Sequence, residues 1–308
     1  MGNNILKINK KMKEAIERSG YLMEQEIAKF MKQEKFLVAP NYSFRDTETD
    51  SSKEIDILAI LFDDIVTDEG YVGYIYFYLV IEVKNIEPVV CFTHYDTSNT
   101  GFFHFSGVPK YIWNKQNKEK DLLDFLEINK FHHYYRIDKI ATQFCIISEK
   151  RGRKSSNQEY RASHHFGNNR NLYEELVVPL IKIIEYEKEI NKNILEFDQP
   201  EPIHLFFYYP IAVVKGLFEC CAGDVEPIYK KVQKVNFVRR YVSKKISGSY
   251  RIDICDKKGL ERIIKSIKNE FKITKKHIQN NYKLYVKSAL KEYKDKTSIY
   301  ETSEVKVI

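Results

Sequence analysis

The sequence predicts an α/β protein in which helices flank a central mixed β-sheet. Apolar residues make up 43% of the 308 residues and aromatic residues 14%, which is enough material for a packed core. Segments with the period of amphipathic helices alternate with short apolar runs that turn residues bound. The length exceeds that of a typical domain, so we expect one large domain or two ordinary ones.

The first part of the chain predicts two helices followed by three strands. Residues 5–18 are lysine-rich and weakly amphipathic, and Ser19-Gly20 interrupts them. Residues 21–34 form the second helix, because their apolar side chains share one stripe. Extended segments follow at 36–44, 54–62 and 71–83. The acidic stretch 63–70 between the last two predicts a hairpin connection.

The rest of the chain predicts further alternation of helices and strands. We expect an irregular segment at 89–113, a helix at 119–135, a short strand at 143–147 and a basic loop at 149–170. A long helix at 172–195 precedes strands at 203–214, 232–242 and 250–255, and two basic helices follow Lys257. These patterns divide the chain into a core at 1–170 and a C-terminal α/β extension at 171–308, which either stands alone or completes the same domain.

Charge is distributed unevenly along the chain, whose net charge is +7. From Lys257 onward there are 14 basic and 6 acidic residues, whereas residues 40–100 contain 3 basic and 12 acidic residues. A basic C-terminal segment is compatible with contacts to a nucleic-acid backbone and equally with a solvated surface. The acidic segment suggests a cation site, or a solvated turn at 63–69.

Several classes of protein are unexpected for this sequence. The longest apolar run, at 71–81, has about half the ~20 residues that a membrane-spanning helix needs, so we expect no membrane and a cytoplasmic protein. The five cysteines contain no C-x-x-C pair, which favours a reducing compartment over a disulfide framework. The histidine pairs at 132–133 and 164–165 lack partners at ligand spacing, so no zinc site is expected.

Two strand segments carry the residues that suggest chemistry. Asp56 lies at the start of the apolar run 55–60, and Glu82 and Lys84 lie at the end of the run 78–83. Because Glu82 and Lys84 are two residues apart, both side chains project from the same face of a strand. If the two segments pair as a hairpin, Asp56 and Glu82 meet at one end of the sheet.

Two adjacent carboxylates need a compensating charge. At about 4 Å they repel by about 4 kcal/mol with an effective dielectric constant of about 20. Oxygen ligands with open coordination positions suit Mg²⁺ or Mn²⁺, which retain water and accept phosphate oxygens. A neighbouring lysine can orient a bound water or stabilise charge on a phosphate, so this set is suited to phosphodiester hydrolysis.

Asp56 followed by Glu82-Val83-Lys84 resembles the motif of the PD-(D/E)xK, or restriction-endonuclease-like, nucleases. Ile55 stands where the motif has proline. The resemblance covers about residues 15–150 and implies a restriction-endonuclease-like core and a Mg²⁺-dependent deoxyribonuclease. It also implies that Asp56, Glu82 and the main chain of Val83 bind the metal. Lys84 would activate water, and Glu24, at the edge of the apolar stripe of the second helix, would face the same site.

The resemblance further implies a restriction or anti-phage defence effector that acts with a partner protein. A nucleic-acid-binding or assembly module with the same fold and no catalytic activity is the alternative. Retention of Asp56, Glu82 and Lys84 argues against that alternative, since a binding module has no need to hold two repelling carboxylates. RNA as substrate, a homo-oligomeric state and the choice of single or double strands stay open at this stage.

Overall fold

A computed structural model describes residues 9–95, 105–106, 125–126, 128–129, 131, 139–151, 163–168, 171–197, 203–221 and 226–303. Most of the helix expected at 119–135 lies outside the described residues, as do the histidines at 132–133; residues 125, 126 and 128 are helical. No described helix combines the length and the apolar character needed to span a bilayer.

The helices lie at the two ends of the chain and in its middle. Their bounds are α1 Lys10–Arg18, α2 Tyr21–Gln33, α3 Leu172–Leu176, α4 Val178–Phe197 and α5 Lys257–Ser303. The single helix expected at 172–195 is divided at Val177, just before Pro179, which has no N–H to continue a helical ladder. The two basic helices expected after Lys257 are two helical segments of α5 that meet at a kink, where Asn281 has a non-helical backbone.

The strands confirm the expected mixed sheet. Their bounds are β1 Leu37–Arg45, β2 Ser52–Thr67, β3 Gly70–Lys84, β4 Val89–Tyr95, β5 Phe105–Ser106, β6 Lys139–Arg151, β7 Ser163–Asn168, β8 Ile203–Val214, β9 Leu217–Cys221, β10 Ile228–Lys231, β11 Lys234–Val242 and β12 Ser247–Cys255. The sheet order is β1-β2-β3-β8-β12-β11-β6-β4-β9-β10, with β5 beside β8 and β7 beside β6.

Helices cover both faces of this sheet. On one face, α2 and α5 pack on inward side chains of β2, β3 and β8 around Met31, Phe77 and Phe207. On the other face, α3 and α4 pack around Leu180, with Val80 among the strand residues beneath them. The architecture is therefore three layers, with helices on either side of the sheet, as the sequence predicts.

Three expected connections are strands in the structure. The hairpin turn expected at 63–70 is confined to Asp68 and Glu69, because Ile65 is fully buried and extends β2. The expected irregular segment from residue 89 begins with β4, whose Val89 and Cys91 are fully buried. The basic loop expected at 149–170 includes the end of β6 and all of β7, which pair antiparallel.

The two halves of the sequence contribute neighbouring strands to the sheet. Strand β8 has the same bounds as predicted, 203–214, and pairs in parallel with β3 from Gly73–Ile203 to Lys84–Val214. β12 pairs in parallel with β8. The carboxyl ends of β3, β8 and β12 consequently lie at one end of the sheet, where α5 begins.

Lysines of α5 form ion pairs with acidic residues of the first half of the chain. The pairs are Lys257–Glu26, Lys268–Glu34, Lys275–Asp63 and Lys283–Glu69, with N–O distances between 2.5 and 2.9 Å. Exposed pairs of this kind contribute little individually. They do show that part of the acidic segment at 40–100 is a docking surface for the basic helix α5.

Gly259 allows α5 to start directly against the loop before β11. Its N–H donates to Asp256 Oδ1 at 2.7 Å, and a side-chain carbon at this position would lie 1.9 Å from the carbonyl oxygen of Gln233. In an unconstrained helix, glycine to alanine stabilises by about 1 kcal/mol. Here we expect Gly259→Ala to destabilise by about 1–3 kcal/mol, because the backbone of another segment must move. Urea denaturation would measure this.

Lys258→Ala is the matched control for that prediction, since the Lys258 side chain is exposed on the same helical turn. It should change the free energy of unfolding by less than about 0.5 kcal/mol. A Gly259→Ala protein that is as stable as this control, or more stable, would contradict the close approach of α5 to Gln233.

Candidate active site

Asp56 lies in β2, on the same face of the sheet as the side chains of Leu58 and Val80. Its Oδ2 accepts a hydrogen bond from the main-chain N–H of Val83 at 2.7 Å, across the β2–β3 pair. Its Oδ1 accepts no hydrogen bond from the part of the chain that the structure describes. Strand alternation and the hairpin connection are sufficient to produce this placement, and both are visible in the sequence.

Glu82 and Lys84 lie on the same face of β3 and are in direct contact. Lys84 Nζ donates to Glu82 Oε1 and lies 3.9 Å from Asp56 Oδ2. The Glu82 side chain is only 6% exposed and that of Lys84 is 27% exposed. The structure thus brings Asp56, Glu82 and Lys84 into one cluster, with the ammonium group against both carboxylates.

Burial makes Glu82 the most perturbed carboxyl group of the cluster. Loss of water around the side chain and the negative charge of Asp56 raise its pKa to about 7, although Lys84 acts in the opposite direction. Its second oxygen, Oε2, is buried and has no hydrogen-bond partner among the described residues. A buried carboxylate oxygen without a partner is costly, so it marks a position where a proton or a cation is favoured.

Lys84 remains positively charged in this environment. Burial opposes its charge, but the carboxylates of Glu82 and Asp56 outweigh that effect and raise its pKa. Glu175 in α3 contributes in the same direction. The sequence analysis missed Glu175, because no spacing within the sequence relates α3 to the end of β3.

Glu24 reaches the cluster from α2. Gly20 precedes this helix with a φ of 88°, a left-handed conformation that glycine adopts without strain, and its carbonyl accepts from the N–H of Glu24. A side-chain carbon at Gly20 would lie 3.6 Å from Glu24 Oε1 and 3.7 Å from Cβ of Asn85. Partial burial and the charge of Asp56 raise the pKa of Glu24. The start of α2 therefore places a carboxylate beside the end of β3.

The oxygen atoms of the cluster fit a divalent cation. Asp56 Oδ1 and Glu82 Oε2 accept no hydrogen bond from the described residues, and Mg²⁺ and Mn²⁺ prefer carboxylate oxygens as ligands. The described residues contain no cluster of three or more His, Cys, Asp or Glu side chains arranged around a common metal position. Water and a main-chain carbonyl such as that of Val83 would complete the shell.

Comparison with known proteins identifies no relative. No protein-family model, curated protein or solved structure matches this chain. The functional interpretation therefore depends on the geometry and electrostatics of the cluster itself.

The raised pKa of Glu82 predicts a pH dependence of stability. An acid whose pKa is higher in the folded protein binds its proton more tightly there, so the folded state loses stability as pH rises from the ordinary value of 4.5 to about 7. Glu82→Gln removes the charge and keeps an oxygen for Lys84. We expect the free energy of unfolding of Glu82→Gln, relative to that of the wild type, to rise by about 3 kcal/mol across this pH range. Urea denaturation without divalent metal, at about pH 5 and about pH 8, measures it.

Glu54→Gln provides the control, because Glu54 is an exposed acid of the neighbouring strand, β2. Its difference from the wild type should stay nearly constant with pH. If Glu82→Gln also keeps a constant difference, the carboxyl group of Glu82 does not bind its proton more tightly in the folded protein, and the electrostatic description of the cluster is wrong.

Proposed function

We propose that this chain is a metal-dependent nuclease that hydrolyses phosphodiester bonds of DNA. The observation that carries the proposal is the contact set of Asp56, Glu82 and Lys84, in which a buried carboxylate oxygen of Glu82 lacks a partner. Maintaining two adjacent carboxylates in a poorly solvated position is unfavourable for folding, and such arrangements are typical of functional sites.

Each residue of the cluster has a distinct role in this proposal. Asp56 and Glu82 supply oxygen ligands, and the hydrogen bond from the N–H of Val83 holds the Asp56 carboxylate in place. A divalent cation at these oxygens would lower the pKa of a bound water and neutralise charge on the phosphate. The role of the Val83 carbonyl as a further ligand belongs to the proposal as well.

Lys84 acts through its positive charge. Because neighbouring carboxylates raise its pKa, it keeps its proton at neutral pH and serves as a hydrogen-bond donor rather than a base. An ammonium group at this position can orient the attacking water and stabilise the charge that develops on the phosphate. Glu24, whose pKa is also raised, is positioned to hold a water on the α2 side of the cluster.

The biological setting follows from the resemblance alone. A PD-(D/E)xK-like core of this kind would belong to a cytoplasmic restriction or anti-phage defence effector. It would act with a partner protein or as a homo-oligomer. Related folds host several functions, so the chemistry of the cluster carries more weight here than the resemblance.

Mg²⁺ should stabilise the folded protein through Asp56. At about ten times its Kd, a ligand that binds only the folded state adds about 1.4 kcal/mol, which raises Tm by a few degrees for a chain of this length. Asp56→Asn keeps an acceptor for the Val83 N–H and removes one metal ligand. We expect this variant to keep or raise the metal-free Tm and to lose the Mg²⁺ shift in a thermal denaturation series.

Asp64→Asn is the control, because Asp64 is an exposed aspartate of the same strand. It should retain the full Mg²⁺ shift. A normal shift in Asp56→Asn would place the metal at another site.

Replacing Lys84 and replacing Glu82 should have different effects on cleavage and on metal binding. Lys84→Ala leaves both carboxylates, so cleavage should fall by at least about 10² while nucleic-acid binding weakens little, since one lost cation changes the salt slope by about one unit. Glu82→Ala should lose cleavage and the Mg²⁺ shift together. The assay incubates plasmid, linear duplex, single-stranded DNA and RNA with Mg²⁺ or Mn²⁺ and with any protein encoded beside this one.

Lys53→Ala tests whether any lysine near Asp56 has the same effect, because Lys53 is exposed in β2 three residues away. It should cut at the wild-type rate. If the wild type cuts no nucleic acid and Lys84→Ala behaves identically to it, the chain is a binding or assembly module rather than a hydrolase.

A further inference from the structure

A groove of about 390 Å³ lies between α2 and β1 and opens directly onto the candidate active site. Glu24 and Asp56 form one part of its wall. The remaining wall includes Tyr21, Lys29 and Lys32 of α2. The groove residues of α2 recur at the three- and four-residue spacing of a single helical face. One face of α2 thus joins the catalytic candidates to a row of aromatic and basic side chains.

The β1 side of the groove contains an unusual backbone conformation. Asn41 stands opposite Asp56 in the β1–β2 register and has a φ of 48°, a left-handed conformation that asparagine tolerates better than most residues. The regular ladder pairs 40–57 and 42–55 lie on either side of it. The edge strand is therefore locally irregular beside Asp56, where the groove lies.

Acidic and basic side chains lie on different sides of α2 and of the residue that follows it. Glu26 and Glu34 form ion pairs with lysines of α5. Lys29 and Lys32 are exposed, line the groove and form no ion pair within the described ranges. With a rise of about 1.5 Å per residue, they lie about 7.5 and 12 Å along the helix from Glu24. The groove thus has carboxylates at one end and cations at the other.

Tyr21 adds an exposed aromatic surface to the same groove. Its side chain is at the first position of α2, and the residue is 66% exposed. Tyr21 lies on the far side of Glu24 from the lysines, about 12 Å along the helix from Lys29 and about 16.5 Å from Lys32. Grooves that combine exposed aromatic rings with cations are typical of proteins that bind single-stranded nucleic acids, because an unstacked base can stack on a ring while lysines neutralise phosphates. In a duplex the faces of the bases are covered by their neighbours, so a ring of this kind cannot reach them.

We propose that this groove binds single-stranded nucleic acid across the scissile phosphate, with one unpaired base stacked on Tyr21 on one side of Glu24 and Asp56 and with phosphates on Lys29 and Lys32 on the other side. This inference rests on the proposed function and extends it by naming the substrate class. Lys29, Lys32 and Tyr21 are positioning residues, since they contact the strand away from the reacting phosphate.

Fluorescence anisotropy with a labelled oligonucleotide, single-stranded or as a duplex, tests the groove without requiring cleavage. The full-length protein is titrated without divalent metal over a range of salt concentrations. Tyr21→Ala should weaken single-strand binding about tenfold, and Tyr21→Phe should restore it because the ring is kept. The double variant Lys29→Ala with Lys32→Ala should lower the salt slope by about 1.4 units, about 0.7 for each phosphate.

Lys230→Ala with Lys231→Ala is the matched control. These two exposed lysines lie in β10, at the opposite edge of the sheet from β1. The control should bind single strands with the affinity and salt slope of the wild type. If the Lys29/Lys32 and the Lys230/Lys231 double variants lose the same single-strand affinity, the proposal is overturned, because affinity would then depend only on net charge. An unchanged affinity in Tyr21→Ala, or equal effects on duplex and single strand, would also overturn it.

Cleavage assays on the same variants separate this inference from the proposed function. If the wild type binds single strands through Tyr21 and the two lysines but cuts nothing, the proposal of single-strand binding in the groove is supported and the nuclease proposal is wrong. If the wild type cuts while the groove variants bind and cut single strands normally, the nuclease proposal stands and the groove is wrong.

Discussion

The parallel pairing of β3 with β8 is the constraint on which the candidate site depends. Twelve consecutive residues of β3, from Gly73 to Lys84, pair with β8, while β2 pairs on the other side. β3 is consequently an interior strand, and helices cover both faces of the sheet. Glu82 is buried for this reason. On an edge strand the same side chain would be hydrated, and its pKa would stay near that of a free glutamate.

Burial and charge compensation act against each other in this cluster. Lys84 neutralises part of the charge of Asp56 and Glu82, yet Glu82 Oε2 remains buried without a partner and the pKa of Glu82 remains high. The cluster therefore has unused capacity for positive charge. A site for a divalent cation and a phosphate requires that property, because the incoming ligands supply the missing compensation.

Helix packing pairs part of the unevenly distributed charge of the sequence. Four lysines of α5 pair with Glu26 of α2, with Glu34 directly after α2, and with two acidic residues of the β2–β3 hairpin. Part of the basic character of the C-terminal region is thus used within the fold. The pairing also leaves Lys29 and Lys32 on the groove side of α2, next to Glu24 and Asp56, where a phosphate backbone would need them.

Local patterns in the sequence were sufficient to predict the strand at 203–214 and the contact of Asp56, Glu82 and Lys84, since a period of two and a hairpin connection relate neighbouring segments. The patterns do not predict β4, β5, β7, β9 or β10, and they predict a turn where β2 continues to Thr67. Tertiary structure alone decided the insertion of β8 beside β3, the approach of Glu175 and the groove between α2 and β1. Those features depend on packing between segments far apart in the chain, and no spacing within one segment records which partner it will meet.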